Sequence, residues 1–410
     1  MNMKKWLALL LCLLLTLSLA GCSGGAPAQT EEPEITGEET ESSEQTETGQ
    51  EPDYQALYDA ALAAVQNVRG SFDPDMVVCT IDGVDITWGM YYYFIAEDLQ
   101  DVLYYIGDLP TDFNEKLTET STMSEYFNKS ALSKATYYAV ANAMPERLGV
   151  PFADQAETAI NEQWNRLLER YGSEEALTAA MGDAGLDKDL LFFFLRSNEG
   201  LNAVQKATYG EEAFPDEDVL SWAGEKGYVR TKHILYSFYN EDGSAMDDEG
   251  KAAQKARADE VWAELDALKE DTAALEASFD ELMNAESGDA GGLSNFPAGY
   301  TFASGTMVPA YEEAAFELED YGLSGVVETD YGYHILLRLP LDAGGLTMDQ
   351  NSSTGAYMTL RETAANDKFN EDLAKWIEEA TVEWRVPELE NIDFNALFGI
   401  VPEAKPDDGE

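Results

Sequence analysis

Tyr228-Val229-Arg230-Thr231-Lys232-His233-Ile234-Leu235-Tyr236 and Tyr331-Gly332-Tyr333-His334-Ile335-Leu336-Leu337-Arg338-Leu339 hold the two histidines of the 410-residue chain. Both runs are short and rich in β-branched and aromatic residues, so Tyr228 to Tyr236 and Tyr333 to Leu339 read as strands. Between them, Lys251 to Leu268 has the period of an amphipathic helix, with Ala256, Val261, Trp262, Leu265 and Leu268 near one face. A second helix is expected over Asp271 to Met283, followed by loops rich in Gly and Ser. Pro309 to Leu318 reads as a short helix with proline near its start, where the missing N–H costs nothing. Val326 to Thr329 reads as another strand. Strands that open and close a stretch of helices describe a compact α+β unit of about 110 residues, large enough to fold alone. By composition, a histidine in a strand is ordinarily a satisfied core residue, and only the surrounding residues argue otherwise.

On the N-terminal side, Tyr54 to Val68 reads as helix. Val77 to Thr87 reads as a tight hairpin turning at Asp82-Gly83, because both residues tolerate the positive φ such a turn needs. Helices are expected over Trp88 to Ile106, Ser124 to Leu148, Phe152 to Tyr171, Ser173 to Met181 and Asp187 to Thr208. Within the last, Leu190-Leu191-Phe192-Phe193-Phe194-Leu195 is apolar on every face. Such a stretch is either buried all round or offers a surface to a client or a second copy. After the α+β unit, Met358 to Trp384 reads as one charged amphipathic helix. The α+β unit is thus inserted into a mainly α-helical domain.

The first residues have a different purpose. Lys4 and Lys5 precede the apolar stretch Trp6 to Leu19, which has signal-peptide length and is too short to span a bilayer comfortably. The stretch ends in Leu19-Ala20-Gly21-Cys22, which resembles a bacterial lipobox, with Cys22 the residue that takes the lipid. Cys12 then leaves with the signal peptide, and Cys79 remains alone, so no intramolecular disulfide is expected. Cys79 sits in the apolar run Met76 to Ile81 and reads as a buried structural thiol. Ser23 to Glu51 contains nine Glu and no basic residue, the composition of a self-repelling tether. The expected organisation is a signal peptide over 1–21, lipidated Cys22 and acidic linker over 22–52, and a helical chaperone-like domain over 53–225. The α+β domain follows over 226–341, with a return helix and acidic tail over 342–410.

Composition excludes several functions. A formal net charge of −54, from 25 Lys+Arg against 79 Asp+Glu, opposes binding to a phosphate backbone. Two histidines leave no room for a His-rich metal cluster, and there is no Walker A run and no G-x-G-x-x-G after a strand. The acidic loop from Asn240 to Glu249 lacks the ligand spacing of an EF-hand and reads as solvated. No metal and no cofactor is expected.

Four motifs then change the reading of the histidines. Lys232-His233-Ile234-Leu235, Gly305-Thr306-Met307-Val308-Pro309, Glu313-Ala314-Ala315-Phe316 and Gly332-Tyr333-His334-Ile335 together resemble a parvulin-type peptidyl-prolyl isomerase domain. With the hairpin, the helical region, the return helix and the lipobox, most of the chain is similar to foldase lipoproteins of the PrsA/SurA type. The resemblance implies a small antiparallel sheet with surrounding helices. His233 and His334 match the family's paired histidines, Asp289 the position of its Cys or Asp, and Thr329 the hydroxyl near the second histidine. Phe302, Met307 and Tyr311 match the apolar wall around the substrate proline. It further implies unfolded secreted proteins as clients, a lipid anchor on the extracytoplasmic face of the cell membrane, and a homodimer formed through the helical domain.

This chain departs from the family pattern in three places. The usual Gly-Gly-Asp-Leu-Gly loop is replaced by Gly292-Leu293-Ser294-Asn295-Phe296-Pro297-Ala298-Gly299, Tyr331 stands where a small residue is common, and the loop after the first strand is acidic where phosphoserine-directed members are basic. Two alternatives follow. One is a holdase whose isomerase module is weak or inactive. The other is a solute-binding lipoprotein, which would need strands alternating with helices in two lobes, whereas here the strands cluster between Tyr228 and Leu339.

Overall fold

The computed structural model describes residues 54–402 apart from 184, 241 and 353. The expected signal peptide, Cys22, the Glu-rich segment and the acidic end beyond 402 lie outside the described residues. The first elements are α1 (Tyr54–Arg69), β1 (Val77–Ile81), β2 (Val84–Thr87), α2 (Trp88–Ile106), α3 (Met123–Arg147), α4 (Ala153–Tyr171), α5 (Glu174–Asp183) and α6 (Lys188–Tyr209). Then come α7 (Asp216–Glu225), β3 (Val229–Ser237), α8 (Asp248–Asp266), α9 (Thr272–Glu286), α10 (Ala290–Asn295), β4 (Tyr300–Phe302), α11 (Pro309–Glu317), β5 (Val327–Thr329) and β6 (Gly332–Leu339). The chain ends through β7 (Leu346–Gln350), β8 (Tyr357–Thr359), α12 (Leu360–Glu378), β9 (Val382–Trp384) and α13 (Phe394–Phe398). It divides into two compact units, Thr208–Phe369 and the residues on either side of it.

In the flanking unit, Asp82 and Gly83 have φ of 48° and 85°, as a two-residue hairpin turn between β1 and β2 requires. Thr87 accepts the Met90 amide and so starts α2 directly from β2, while Thr122 and Glu125 form a reciprocal capping box on α3. The apolar run of α6 is core: Leu190, Leu191, Phe193, Phe194 and Leu195 are buried. The Phe194 ring lies 4.5 Å from Tyr138 of α3 and 5.5 Å from Tyr93 of α2. Cys79 is fully buried in β1, where burial and then the Asp85 carboxylate push its thiol up to about 12, so it is inert.

The end of the chain returns to this unit and corrects one sequence expectation. Met358 to Trp384 is not a single helix: α12 covers Leu360–Glu378, and Val382–Trp384 is a strand paired antiparallel with β1 in the order β2-β1-β9. Val382, Trp384 and Val386 alternate with Glu383 and Arg385, a period of two that suits an edge strand and not a helix. Beyond it, Phe394 is buried with its ring 5.5 Å from both Phe113 and Phe127, and Asn395 Oδ1 accepts the Phe113 amide at 2.8 Å.

The inserted unit runs wider than residues 226–341 on both sides. It carries a six-stranded sheet in the order β5-β6-β3-β4-β7-β8, antiparallel except for the parallel pairing of β4 with β7. Helix α7, before β3, packs Val219, Trp222 and Ala223 against Ala343, Leu360 and Ala364, and the Trp222 indole N–H donates to Asp367 at 2.8 Å. One face of the sheet presents Ile234, Tyr236, Ile335, Leu337 and Leu339 to Val261 and Leu265 of α8 and to Leu275, Phe279 and Met283 of α9. Because side chains alternate along a strand, His233 and His334 point to the other face, toward α11.

The close crossing of α3 and α6 gives a test of packing in the flanking unit. A Cβ on Gly200 would lie 2.9 Å from the Ala141 carbonyl oxygen and 3.1 Å from Pro145 Cγ. Gly200→Ala is therefore expected to destabilise by about 1–3 kcal/mol in urea unfolding, even though alanine is the better helix former.

Candidate active site

Strand β3 brings His233 onto the sheet face that α11 covers, and β6 brings His334 beside it. His233 stands opposite Leu336 and His334 opposite Leu235, so the two rings are diagonal neighbours with centroids 5.2 Å apart and Nδ1 atoms 3.2 Å apart. Thr329 precedes the tight turn into β6, which sets its hydroxyl 2.8 Å from His334 Nε2. The Tyr331 amide donates to the same hydroxyl oxygen at 3.1 Å, while the Tyr331 side chain is 56% exposed in the turn.

Asp289 arrives from the end of α9. The segment before it is fastened to β3: the Leu235 amide donates to Ser287 Oγ at 3.1 Å, and the Gly288 amide to the Leu235 carbonyl at 2.7 Å. Asp289 then caps α10, with Oδ1 accepting the Gly292 amide at 2.9 Å. Its Oδ2 meets His233 Nε2 at 2.8 Å and accepts the Tyr300 hydroxyl at 2.6 Å. A cavity of about 10 Å³ adjoins His233, Asp289, Tyr300 and Phe296, room for about one water. The carboxylate, 22% exposed, is thus held chiefly by protein donors.

Proton positions follow from these partners. Burial opposes the charge on Asp289, but the bonds from His233, Tyr300 and Gly292 outweigh it and hold the carboxyl well below the usual carboxylate range. An ionised carboxylate has no proton to give, so His233 Nε2 carries one. A bond between the two facing Nδ1 atoms carries one proton, and with it on His334 the His334 Nε2 is bare and can accept the Thr329 hydroxyl. Burial, and next the neighbouring His233, lower His334 to about 3, so this ring is neutral and its Nε2 accepts from Thr329. Every donor in the row from Tyr331 to Asp289 then points the same way.

Above the row stands Tyr311 of α11, only 2% exposed, with its ring edge-on to both histidines at centroid distances of 5.3 and 5.4 Å. Its hydroxyl pairs with Thr231 Oγ1 at 2.8 Å, and burial raises its pKa, so it remains a neutral phenol. Met307 is half-buried in the same apolar cluster. Phe302 is 1% exposed and lies behind Tyr311 at 6.0 Å, so it backs the wall without lining an open surface. The loop that carries Met307 is closed by Glu312, which accepts the Gly305 and Met307 amides at 2.9 and 3.3 Å and the Ser304 hydroxyl at 3.0 Å.

The seven residues singled out from the sequence within this unit thus meet around one sheet face. Tyr300, Thr231, Ser287 and Glu312 complete the arrangement and were not anticipated. Only Glu312 left a signal, as an acidic residue in the first turn of a short helix, where backbone N–H groups are free.

His334 also gives a stability test. Its unfolded form takes up a proton near 6.5 and the folded form only near 3, so its contribution is complete above 6.5 and is lost as pH falls through that window. Asp289 contributes its own loss only below its unfolded value of 3.8, a separate and more acidic range. Urea unfolding between pH 7 and 4.5 is expected to show a shallower loss of stability with acid for His334→Gln than for wild type. Parallel slopes would contradict the neutral buried ring.

A family model described as Rotamase, PPIC-type PPIASE domain, matches residues 233–339. Foldase protein PrsA of Staphylococcus aureus (strain bovine RF122 / ET3-1) is 25% identical over 240 residues, which cover 56% of this chain and 69% of that protein. The crystal structure of PrsA from Bacillus subtilis matches at 20% identity, covering 65% of this chain and 91% of that one with a TM-score of 0.23. Foldase protein PrsA from Lactococcus lactis matches at 18% identity over 79% of this chain and 98% of its own, with a TM-score of 0.26. The chain is PrsA-like, and residues 233–339 are its parvulin-type peptidyl-prolyl isomerase domain.

Proposed function

We propose that the chain is a foldase held by a lipid on Cys22 at the extracytoplasmic face of the cell membrane, where it isomerises X-Pro bonds in secreted proteins as they fold. The observation that carries this reading is the single-direction row of Asp289, His233, His334 and Thr329 beneath Tyr311 and Met307. A peptide C–N bond resists rotation by ~18–20 kcal/mol, and an uncatalysed X-Pro bond takes tens to hundreds of seconds to turn. Conjugation makes the planar amide strongly dipolar, and twisting removes it. A pocket of low polarity therefore favours the twisted amide over the planar one, which is catalysis by differential binding without a covalent step.

In this reading Met307, which is half-buried, meets the proline ring, and Tyr311 and Phe302 form the wall behind it. His233, His334, Asp289 and Thr329 form a polar floor whose donors and acceptors are spent on one another. Neither histidine transfers a proton, because the reaction moves none. The sequence Leu19 to Cys22 supports the lipid anchor, and a dimer through the helical region belongs to the same proposal.

The test is the rate of cis–trans exchange in a series of X-Pro peptides. Wild type should accelerate exchange, and His233→Ala and His334→Ala should each lose about tenfold or more in kcat/KM while remaining folded. A wild type that accelerates none of the peptides would overturn the catalytic reading and direct attention to aggregation suppression by the helical unit. For the anchor, a tagged fatty acid fed to expressing cells should label wild type and leave Cys22→Ala unlabelled. Equal labelling of both would remove Cys22 from the proposal.

A further inference from the structure

We propose that Tyr300 is a positioning residue of the isomerase site, and that the β7–β8 hairpin, which lies beyond residues 233–339, holds it in place. The proposal rests on the reading of His233, His334 and Asp289 as the polar floor.

Tyr300 gives its hydroxyl to Asp289 Oδ2 at 2.6 Å, the same oxygen that takes His233 Nε2 at 2.8 Å. Two donors on one oxygen fix both its position and its direction. With the phenol gone, the carboxylate would keep the Gly292 cap on Oδ1, and its other oxygen would be held by His233 alone. That oxygen is the reason His233 carries its proton on Nε2. Since the remaining donors in the row take their direction from this one, an Asp289 whose Oδ2 is held by His233 alone would fix the tautomers of both rings less firmly. The space is also built around this contact: a Cβ on Gly292 would overlap the Asp289 carboxylate and the Tyr300 hydroxyl.

The phenol is itself supported from outside the matched residues. Its ring lies on Phe296 with centroids 4.7 Å apart and 33° between the planes, and Phe296 lies 4.5 Å from Tyr357 of β8. Phe296 is buried. Strand β7 pairs in parallel with β4 at Thr301 opposite Thr347, next to Tyr300, and the Thr347 hydroxyl donates to the Met358 carbonyl at 3.1 Å. The line Tyr357, Phe296, Tyr300, Asp289, His233 therefore runs without interruption from the hairpin to the paired histidines. A buried tyrosine seeks some partner for its hydroxyl in any protein. The test must therefore read proton positions and not only stability.

The sequence allows this, because its two histidines give a ring-nitrogen spectrum of only two residues. In the full chain labelled with ¹⁵N-histidine, long-range correlations at neutral pH should show each ring with one protonated and one bare nitrogen, His233 protonated on Nε2. Tyr300→Phe, which keeps the ring and removes the hydroxyl, should move both rings toward averaged tautomers. It should also lower kcat for X-Pro exchange about tenfold with KM within about twofold, the cost of losing one hydrogen bond to a charged group. Tyr357→Ala should reproduce the change in the rings, and Tyr357→Phe should leave them as in wild type. Unchanged ring nitrogens in Tyr300→Phe would overturn the proposal, as would wild-type rings in Tyr357→Ala for the role of the hairpin. A wild type without isomerase activity would instead sink the functional reading, while the ring nitrogens would still decide the role of Tyr300.

Discussion

The antiparallel pairing of β3 with β6, from Arg230 opposite Leu339 to Ser237 opposite Gly332, is the constraint on which the site depends. It sets the histidines diagonally across two strands, within reach of each other on one face. A slip of one residue would turn one ring toward the helices, since each step along a strand reverses the side chain. The register is not held by the histidines. It is held by the opposite face, where Ile234, Tyr236, Ile335, Leu337 and Leu339 are buried against α8 and α9. Each large apolar side chain is worth about 1.5–3 kcal/mol when buried, against about 1 kcal/mol net for a typical hydrogen bond. The apolar face therefore decides the register, and the polar row inherits its alignment. Gly332 adds a steric lock, because a Cβ there would overlap the Tyr236 carbonyl.

Alternation also separates charge from the site. Lys232, next to His233 in sequence, points to the helix face and pairs with Glu276 at 3.2 Å and Asp280 at 2.7 Å. On the site face the Asp289 carboxylate has three donors of its own, and the Glu312 carboxylate is occupied by the Gly305 and Met307 amides and the Ser304 hydroxyl. A chain with a formal charge of −54 thus keeps beneath the histidines a carboxylate, Asp289, that is matched by donors of the fold itself. Such a floor suits a reaction in which dipole is lost and no proton moves.

The sequence made the paired histidines, the strand–helix order and the hairpin at Asp82-Gly83 legible, because each depends on residues close together or on motifs with a fixed order. The contacts that escaped it are long-range. β9 is three residues long and exists because β1 has a free edge, about three hundred positions earlier in the chain. Nothing near Val382 announces that edge, and a helical period running up to Glu378 hides the change. Tyr300 is similar. Its ring reads as part of a short β-prone run, and only the fold reveals that its hydroxyl ends on Asp289. Helix α7 and the β7–β8 hairpin lie beyond the motifs, and only the fold attaches them to this compact unit.

Their attachment has a physical meaning. Strand β4 is three residues long and pairs with β3 on one edge, so without β7 its other edge would face water. Thr301 and Thr347, opposite each other in that parallel pairing, are both fully buried. Stripping the hairpin would expose the edge of the strand that carries Tyr300 and Phe302, the one beside Asp289 and the other behind Tyr311. An enzyme that transfers a group can tolerate some play, because bond making draws the reactants together. One that only favours a twisted amide over a planar one has no such help, and its selectivity lies in the fixed shape and low polarity of the pocket. The strands beyond the motif are thus part of what keeps that shape fixed, and the functional unit is the whole six-stranded sheet and not the stretch between its two histidines.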